Sequence, residues 1–184
     1  MSPQVSERLL KREDAILAII DIQEKLFPVM ADREALAGNA VRLAKFAGII
    51  GLPVVVTEQE NLGPTLPEIA SEIDGLTPIT KITFDCFGNE DFKRRLEEAG
   101  RKTLVLCGIE SHICVTQTAL SGLADFDVQI VADAVSSRSL HNREVALKRL
   151  SQAGAVVTST EMLIYELLGR AGTDEFRATL KLVK

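Results

Sequence analysis

The stretch Thr103-Leu-Val-Leu-Cys-Gly-Ile-Glu-Ser-His-Ile-Cys-Val-Thr-Gln-Thr-Ala-Leu120 has the pattern of a strand, a turn and a helix in immediate succession. Residues 103–107 form an apolar run of strand type, Gly108 supplies the turn, and apolar residues then recur at helical spacing. Cys114 falls in the predicted first turn of the helix, where unpaired amides and the helix dipole place partial positive charge. This field predicts a lowered thiol pKa and therefore a nucleophilic cysteine, which still needs partners from elsewhere in the chain.

The remainder of the chain alternates buried strands with helices. Continuous apolar runs such as Ala15–Ile20 are typical of strands buried on both faces, whereas apolar residues over 33–50 recur at helical spacing. We predict strands at residues 15–20, 53–57, 79–83, 103–107, 127–132 and 155–158. We predict helices at residues 33–50, 66–73, 90–99, 140–153, 161–168 and 174–182, and one more that follows Gly108 and ends near residue 124.

This alternation predicts an α/β fold, a single-domain three-layer α/β/α sandwich with a mostly parallel, doubly wound sheet and right-handed crossovers. The length of 184 residues suits one domain spanning 1–184, with its core at about 14–168. We expect the polar residues 1–14 to form a loose arm or a short first helix.

Composition and charge argue against several classes of protein. The net charge is −5 and the densest basic cluster, Lys93-Arg94-Arg95, is interleaved with acids, so we expect no nucleic-acid partner. No apolar run approaches the roughly 20 residues that span a bilayer, and the N-terminus lacks the order of a secretory signal, so we expect no membrane partner and a cytoplasmic location. Three cysteines without a Cys-x-x-Cys pair and only two histidines provide no ordinary zinc site, and we expect neither metal nor cofactor.

Three reactive residues lie at the predicted carboxyl ends of strands, where open α/β sheets bind ligands. Asp21 ends the first strand, Lys81 lies on the short third strand, and Cys114 follows the fourth. Asp21 can take the thiol proton, Lys81 can stabilise the thiolate, and Cys114 can attack a carbonyl to give a thioester that water resolves. Each residue alone has a plainer explanation, because such an Asp often caps a loop, a Lys is usually solvated, and a Cys is often buried and inert.

Taken together, Asp21-Ile-Gln, Lys81 and Gly108-Ile-Glu-Ser-His-Ile-Cys114 resemble the isochorismatase-like cysteine hydrolase superfamily over roughly residues 14–168. The segments 109–114, 131–138 and 153–161 are most similar to its isochorismatase domain-containing branch. The resemblance implies Asp21, Lys81 and Cys114 as a catalytic triad and a cis peptide between Ile109 and Glu110. It also implies an oxyanion hole formed by the Glu110 and Cys114 amides, and a homo-oligomer.

The sequence departs from two branches of that superfamily. Nicotinamidases carry an Asp-x-His…His metal site after the second strand, but Thr57-Glu-Gln-Glu-Asn61 contains no histidine. Isochorismatases proper act on a vinyl ether and do not keep the cysteine. The presence of Cys114 therefore favours carbonyl chemistry on a small molecule, at an amide or a related C–N bond.

Further residues are candidates for the substrate pocket, each with a structural alternative. The aromatic rings can form an apolar wall or simply pack in the core, the polar side chains can contact substrate, and the histidine can line the pocket, pack, or lie at the surface. These candidates are Gln23, Phe27, Glu58, Gln59, Phe84, Phe87 and His112. Cys86 follows Lys81 closely enough to approach the pocket, although the sequence gives it no role.

Two other functions compete with a cysteine hydrolase. The first is a catalytically idle scaffold that acts through oligomer or partner contacts, against which the three reactive residues count. The second is a nucleotide-binding doubly wound domain, which lacks both Gly-x-Gly-x-x-Gly and a Walker loop. The substrate and the order of the oligomer are not encoded in any pattern that we recognise.

Overall fold

The first strand, β1 (Ala15–Ile20), is apolar and buried at every position in the computed structural model, which describes residues 9–183. Because strand side chains alternate between faces, the strand divides between two cores. Leu17 and Ile19 pack into one core, and Ile16 and Ile20 pack into the other. A strand with two apolar faces needs helices on both sides of the sheet, as the sequence predicts.

The sheet has six strands, all parallel, in the order β3-β2-β1-β4-β5-β6. The remaining strands are β2 (Val54–Gln59), β3 (Ile79–Lys81), β4 (Thr103–Ile109), β5 (Asp127–Ser136) and β6 (Val156–Thr158). This order is doubly wound, since the chain builds outward from β1 to β3 and then returns to the other side of β1. The predicted α/β fold with a parallel, doubly wound sheet is confirmed.

Seven helices cover the two faces of the sheet in the described part of the chain. They are α1 (Arg33–Ile50), α2 (Pro67–Ala70), α3 (Glu90–Ala99), α4 (Thr116–Gly122), α5 (Leu140–Ala153), α6 (Thr160–Leu168) and α7 (Asp174–Val183). Helices α1, α2, α6 and α7 pack into the core that contains Leu17 and Ile19. Helices α3, α4 and α5 pack into the core on the opposite face.

The winding direction reverses between β1 and β4, which pair along their whole lengths from Ala15↔Thr103 to Ile20↔Gly108. Gly108 makes this close pairing possible: a Cβ at that position would lie 2.1 Å from the backbone oxygen of Ile20, and its φ is +130°. The segments that leave β1 and β4 therefore emerge side by side at the carboxyl edge of the sheet. In doubly wound sheets this is the position of the ligand crevice.

Strand β5 is longer than the sequence predicts, since it continues from residue 132 to Ser136. Its pairing with β4 is interrupted by a register shift, from Leu106↔Ile130 to Gly108↔Val135. The extra residues on β5 are held from outside the strand, because Arg143 donates hydrogen bonds to the carbonyls of Ala132 and Val135. The extension brings Ser136 and the residues after it to the segment that follows β4.

The other boundaries differ by a few residues. Strand β2 runs on to Gln59, β3 ends at Lys81, and α2 is one short turn at Pro67–Ala70. The predicted helix after Gly108 begins as a π-helical turn, Ser111–Val115, and becomes α-helical only at Thr116. Residues 12–14 form a single 3₁₀ turn, and the prediction for residues 1–8 lies outside the described residues.

Within residues 9–183, no helix has the length and apolar character needed to cross a membrane.

Candidate active site

Asp21 immediately follows β1 and is completely buried. Its backbone lies in the left-handed region, with φ at 54°, and its amide donates to the carbonyl of Thr57 at 3.1 Å. The carboxylate has two strong partners, since the Thr57 hydroxyl donates to Oδ1 at 2.8 Å and Lys81 Nζ donates to Oδ2 at 2.7 Å. These contacts fix the carboxylate rigidly at the end of the strand.

Lys81 ends β3 and is buried with Asp21. Its ammonium donates to Asp21 Oδ2, to Gln59 Oε1 at 2.8 Å and to the carbonyl of Thr83 at 3.1 Å, so all three of its protons have acceptors. Burial by itself lowers the pKa of Lys81, but the negative charge of Asp21, with the charges that the Cys86 and Cys114 thiols acquire when they ionise, outweighs it and raises that pKa above its ordinary value. Lys81 is therefore a fixed positive charge at neutral pH.

Cys114 reaches the same place from β4. The peptide bond between Ile109 and Glu110 is cis, as the resemblance implies, and the π-helical turn follows directly. The turn is closed on Glu110, whose carbonyl accepts from the amides of Ile113 and Val115 at 3.0 and 3.3 Å. The turn places Cys114 at the cavity that Asp21 also lines.

The thiol of Cys114 is protonated at rest. Burial, and after it the negative charge of Asp21, raises the pKa of this thiol to about 12, although Lys81 acts in the opposite direction. The lowered pKa expected from a helix N-terminus is therefore wrong. The reason is that loss of hydration and a neighbouring carboxylate outweigh a helix dipole, which is worth only about 0.3–1 kcal/mol in exposed positions.

Asp21 and Cys114 line a common cavity of about 130 Å³. Its remaining walls are Leu26, Gln59, Leu62, Phe84, Glu110 and Ile113. The cavity therefore combines a thiol, a carboxylate and mostly apolar surroundings. Larger cavities lie elsewhere: one of about 540 Å³ is at the amino ends of the strands, where Thr103 and Asp127 begin β4 and β5, and neither cysteine nor histidine lines it.

Residues at and after the end of β5 hold the segment that begins at Glu110. The backbone amide of Arg138 donates to Glu110 Oε2 at 2.9 Å, and Arg138 Nε lies 3.1 Å from Oε1. The Ser111 hydroxyl donates to the carbonyl of Ser136 at 2.9 Å. The unpredicted extension of β5 thus anchors the segment that carries the candidate oxyanion-hole amides.

Of the predicted pocket residues, Gln59 and Phe84 line this cavity, whereas the others have different surroundings. Gln23 bonds to the backbone of Gln59 and donates to the carbonyl of Gly63, and Glu58 accepts both the amide and the hydroxyl of Thr65. Those two side chains therefore brace the loop after β2.

The remaining candidates are an imidazole and two aromatic rings outside the cavity lining. His112 Nδ1 lies 2.9 Å from the Ser137 hydroxyl. Phe27 packs against the core on the side of α1, and Phe87 stacks edge-to-face on Phe92 at a centroid distance of 5.3 Å. The cavity has no direct contribution from these three side chains.

Sequence reasoning did not select several residues that the structure brings to the site. Thr57 holds the carboxylate of Asp21, and its only sequence signal is its place at the predicted end of a buried strand. Leu26 and Leu62 form apolar walls but lie in segments that carry no periodic pattern, and Ile113, a third wall, lies in the π-helical turn.

Cys86 is a second thiol beside the candidate triad. It is buried, its Sγ lies 3.9 Å from the Thr57 hydroxyl, and its amide donates to the Thr118 hydroxyl oxygen at 3.0 Å. Burial raises the pKa of Cys86 to about 11. Cys107, inside β4, is likewise buried, and burial raises its pKa to about 12.

Among residues 9–183, no group of three or more His, Cys, Asp or Glu side chains is arranged to hold a metal ion.

Comparison with known proteins identifies the family of the chain. The family model of the isochorismatase domain matches residues 15–162. The chain belongs to the isochorismatase family. Mouse isochorismatase domain-containing protein 2A is 36% identical over 176 residues, a match that covers 94% of this chain and 84% of the mouse protein. The resemblance to the isochorismatase domain-containing branch is therefore confirmed.

Solved structures show the same fold. A Caenorhabditis elegans protein described as MAR1 ribonuclease superposes with a TM-score of 0.89 at 32% identity, covering 95% of this chain and 92% of that one. The Escherichia coli YcaC protein, described as an octameric hydrolase of unknown specificity, superposes with a TM-score of 0.87 at 26% identity. That match covers 100% of this chain and 89% of YcaC. Membership of the isochorismatase family supports a hydrolase of small molecules.

Proposed function

We propose that this isochorismatase-family protein hydrolyses an amide or a related C–N bond of a small carbonyl compound through a thioester on Cys114. One observation carries the proposal: Cys114 and Asp21 line the same small cavity, and Lys81 bonds to the carboxylate of Asp21 at 2.7 Å. A nucleophile, a base within its reach and a group that orients the base are the parts required for covalent catalysis.

The first step forms the thioester. The Cys114 sulfur attacks the substrate carbonyl carbon while the thiol proton passes to Asp21, so the high thiol pKa never has to be overcome in the free protein. The carbonyl oxygen becomes an oxyanion, for which the amides of Glu110 and Cys114 are the proposed donors. The C–N bond then breaks as Asp21 returns the proton to the leaving nitrogen.

The second step releases the acid. A water molecule gives one proton to Asp21 and attacks the thioester carbonyl, and the C–S bond breaks as Cys114 regains that proton. Lys81 keeps its charge throughout because its three protons are held by Asp21, Gln59 and Thr83. Its role is to hold Asp21 in position and to balance the charge that passes between carboxylate and sulfur.

A burst assay with p-nitrophenyl acetate tests the nucleophile. We expect release of about one equivalent of p-nitrophenol per active site, with the acetyl group located on Cys114 by mass spectrometry. The burst should disappear in Cys114→Ala and persist in the matched variant Cys86→Ala. Equal bursts in wild type and Cys114→Ala would refute the mechanism and favour a catalytically idle scaffold. A panel of amides then identifies the natural leaving group.

Ribonuclease activity, which is named for the C. elegans relative, fits this site poorly. A cavity of about 130 Å³ is much smaller than the 300 Å³ or more typical of ligand pockets, and the chain carries a net charge of −5. We expect no cleavage of single-stranded RNA that depends on Cys114. Cleavage lost in Cys114→Ala would overturn this assignment.

We also propose that the protein is a homo-oligomer in the cytoplasm. The edge strand β6 and the helices α5 and α6 carry large apolar side chains exposed to solvent, among them Val156, Val145 and Met162. The E. coli relative is described as an octamer. All three cysteines are free, which suits a reducing compartment. Light scattering of the purified protein tests the assembly, and a monomeric mass at micromolar concentration would refute it.

A further inference from the structure

The cavity beside Cys114 is small for a substrate site. Its volume of about 130 Å³ is slightly below that of a 150 Å³ apolar cavity known to accept benzene in another protein, so it holds about six non-hydrogen atoms. Its apolar walls are formed by Leu26, Leu62, Phe84 and Ile113. This lining suits a short hydrocarbon chain.

The charges around the cavity are already paired. Among the described residues, the eight that line it include two acids, Asp21 and Glu110, and no Lys, Arg or His. The ammonium of Lys81 donates its three protons to Asp21, Gln59 and Thr83, so none is left for a substrate. Arg138 is bonded to Glu110, and the Arg138 side chain is 61% exposed. A carboxylate on the substrate would meet two carboxylates and no free cation, and the juxtaposed like charges oppose its binding.

Resting on the proposed thioester mechanism, we infer that the substrate is the amide of a short, uncharged, aliphatic acyl group of about four to five carbons. The acyl chain lies against Leu26, Leu62 and Ile113, and Phe84 closes the cavity on its outer side. Phe84 is suited to this because its ring lines the cavity and is still 53% exposed to solvent. Phe84 therefore sets the upper limit on chain length.

The test is a series of straight-chain primary amides from acetamide to octanamide, followed by ammonia release. We expect kcat/KM to peak at butanamide or pentanamide and to fall about tenfold for each methylene beyond that length, the size of a one-methylene effect in a hydrophobic pocket. Phe84→Ala should move the peak to longer chains. Ile82→Ala is the matched control, because Ile82 is 73% exposed, lies outside the cavity lining and should leave the profile unchanged.

Charge is tested with pairs of similar length. Succinamate should be hydrolysed on the order of a hundredfold more slowly than pentanamide, and β-alaninamide is compared with butanamide. Preferred hydrolysis of succinamate, lost in Arg138→Gln, would show that Arg138 binds a carboxylate and would overturn the inference. A preference for octanamide in the wild type would overturn the size limit, while the thioester mechanism would stand in either case.

A binding experiment tests this inference independently of the proposed thioester mechanism. Methyl-labelled Cys114→Ala protein is titrated with the same amides, and methyl signals of Leu26, Leu62 and Ile113 are followed by NMR. Butanamide should shift these signals and succinamate should not, whether or not any amide is hydrolysed by the wild type. Absence of shifts with butanamide, or equal shifts with succinamate, would overturn the inference by itself.

Discussion

The buried ion pair between Asp21 and Lys81 allows a quantitative test of the site. Their side chains are fully buried and 2.7 Å apart. Replacing one member leaves the other charge buried without its partner, which costs about 3–5 kcal/mol. We therefore expect Lys81→Met and Asp21→Asn each to lower the free energy of unfolding by about that amount near pH 7, although neither substitution removes much volume.

The double variant gives the decisive comparison. With both charges gone no isolated charge remains, so Asp21→Asn/Lys81→Met should be no less stable than the worse single variant, a coupling of about 3 kcal/mol. The exposed pair Glu90–Lys93 is the matched control, for which the coupling should be below about 0.5 kcal/mol. Additive losses at Asp21 and Lys81, to within about 0.5 kcal/mol, would refute the reasoning.

The assay is urea unfolding followed by circular dichroism, repeated at several protein concentrations because assembly contributes to apparent stability. The pH dependence has a definite sign. Because the pKa of Lys81 is raised above its ordinary value of 10.5, its contribution is complete below that pH and is lost only as pH rises through the higher folded-state value. The difference between wild type and Lys81→Met should therefore stay constant from neutral pH up to about pH 10.

Two further predictions concern the segment around β4. Alkylation of Cys114 by iodoacetamide should accelerate about tenfold per pH unit up to pH 10, because a pKa of about 12 leaves the thiolate fraction still rising there. The control variant Cys86→Ser should show the same pH profile. A plateau in the alkylation rate below pH 8 would contradict the prediction. Gly108→Ala should cost more than about 4 kcal/mol or prevent folding, because its Cβ would overlap the backbone of Ile20. Gly154→Ala, also at positive φ but with nothing within 4 Å, should cost about 1–2 kcal/mol; equal losses would exclude the steric explanation.

The sheet could be predicted because its strands carry their own signal. A run such as Ala15–Ile20 is apolar at every position, and only burial on both faces accounts for that pattern. The end of β5 could not be predicted in the same way, since Asp133, directly after Ala132, interrupts the apolar run. These residues are held by partners far along the chain: Arg143 donates to the carbonyl of Ala132, and the Thr160 amide donates to Asp133 Oδ1 at 2.8 Å.

The candidate triad could be predicted from local sequence pattern, whereas the walls of the cavity could not. Asp21, Lys81 and Cys114 follow strand ends, so a topological rule brings them to one edge of the sheet. Leu26 and Leu62 lie in irregular segments whose positions depend on tertiary contacts, such as the hydrogen bond from the Lys25 amide to the Leu62 carbonyl at 3.1 Å. Local pattern contains no information on such a contact.

The pKa of Cys114 was predicted in the wrong direction for a related reason. The position of a helix start can be read from sequence, but the depth of burial and the neighbouring carboxylate cannot. The dipole of a short turn falls off within that turn, whereas burial and a carboxylate can shift a pKa by several units. A prediction of the Cys114 pKa from the helix start alone therefore included only the dipole, which is smaller than the effects of burial and of the carboxylate.

In the proposed mechanism, a thiol that is protonated at rest makes activation of Cys114 depend on a bound substrate. In the empty cavity, moving the proton to Asp21 would leave a thiolate with little hydration, which burial disfavours. When a carbonyl lies over the sulfur, the negative charge passes on to the oxygen, for which the amides of Glu110 and Cys114 are the proposed donors. Lys81 remains paired with the carboxylate in both states, so the charge of the buried cluster changes only while the oxyanion exists. The same burial that raises the thiol pKa thus protects the cysteine from other electrophiles and confines its reaction to compounds small enough to enter the cavity.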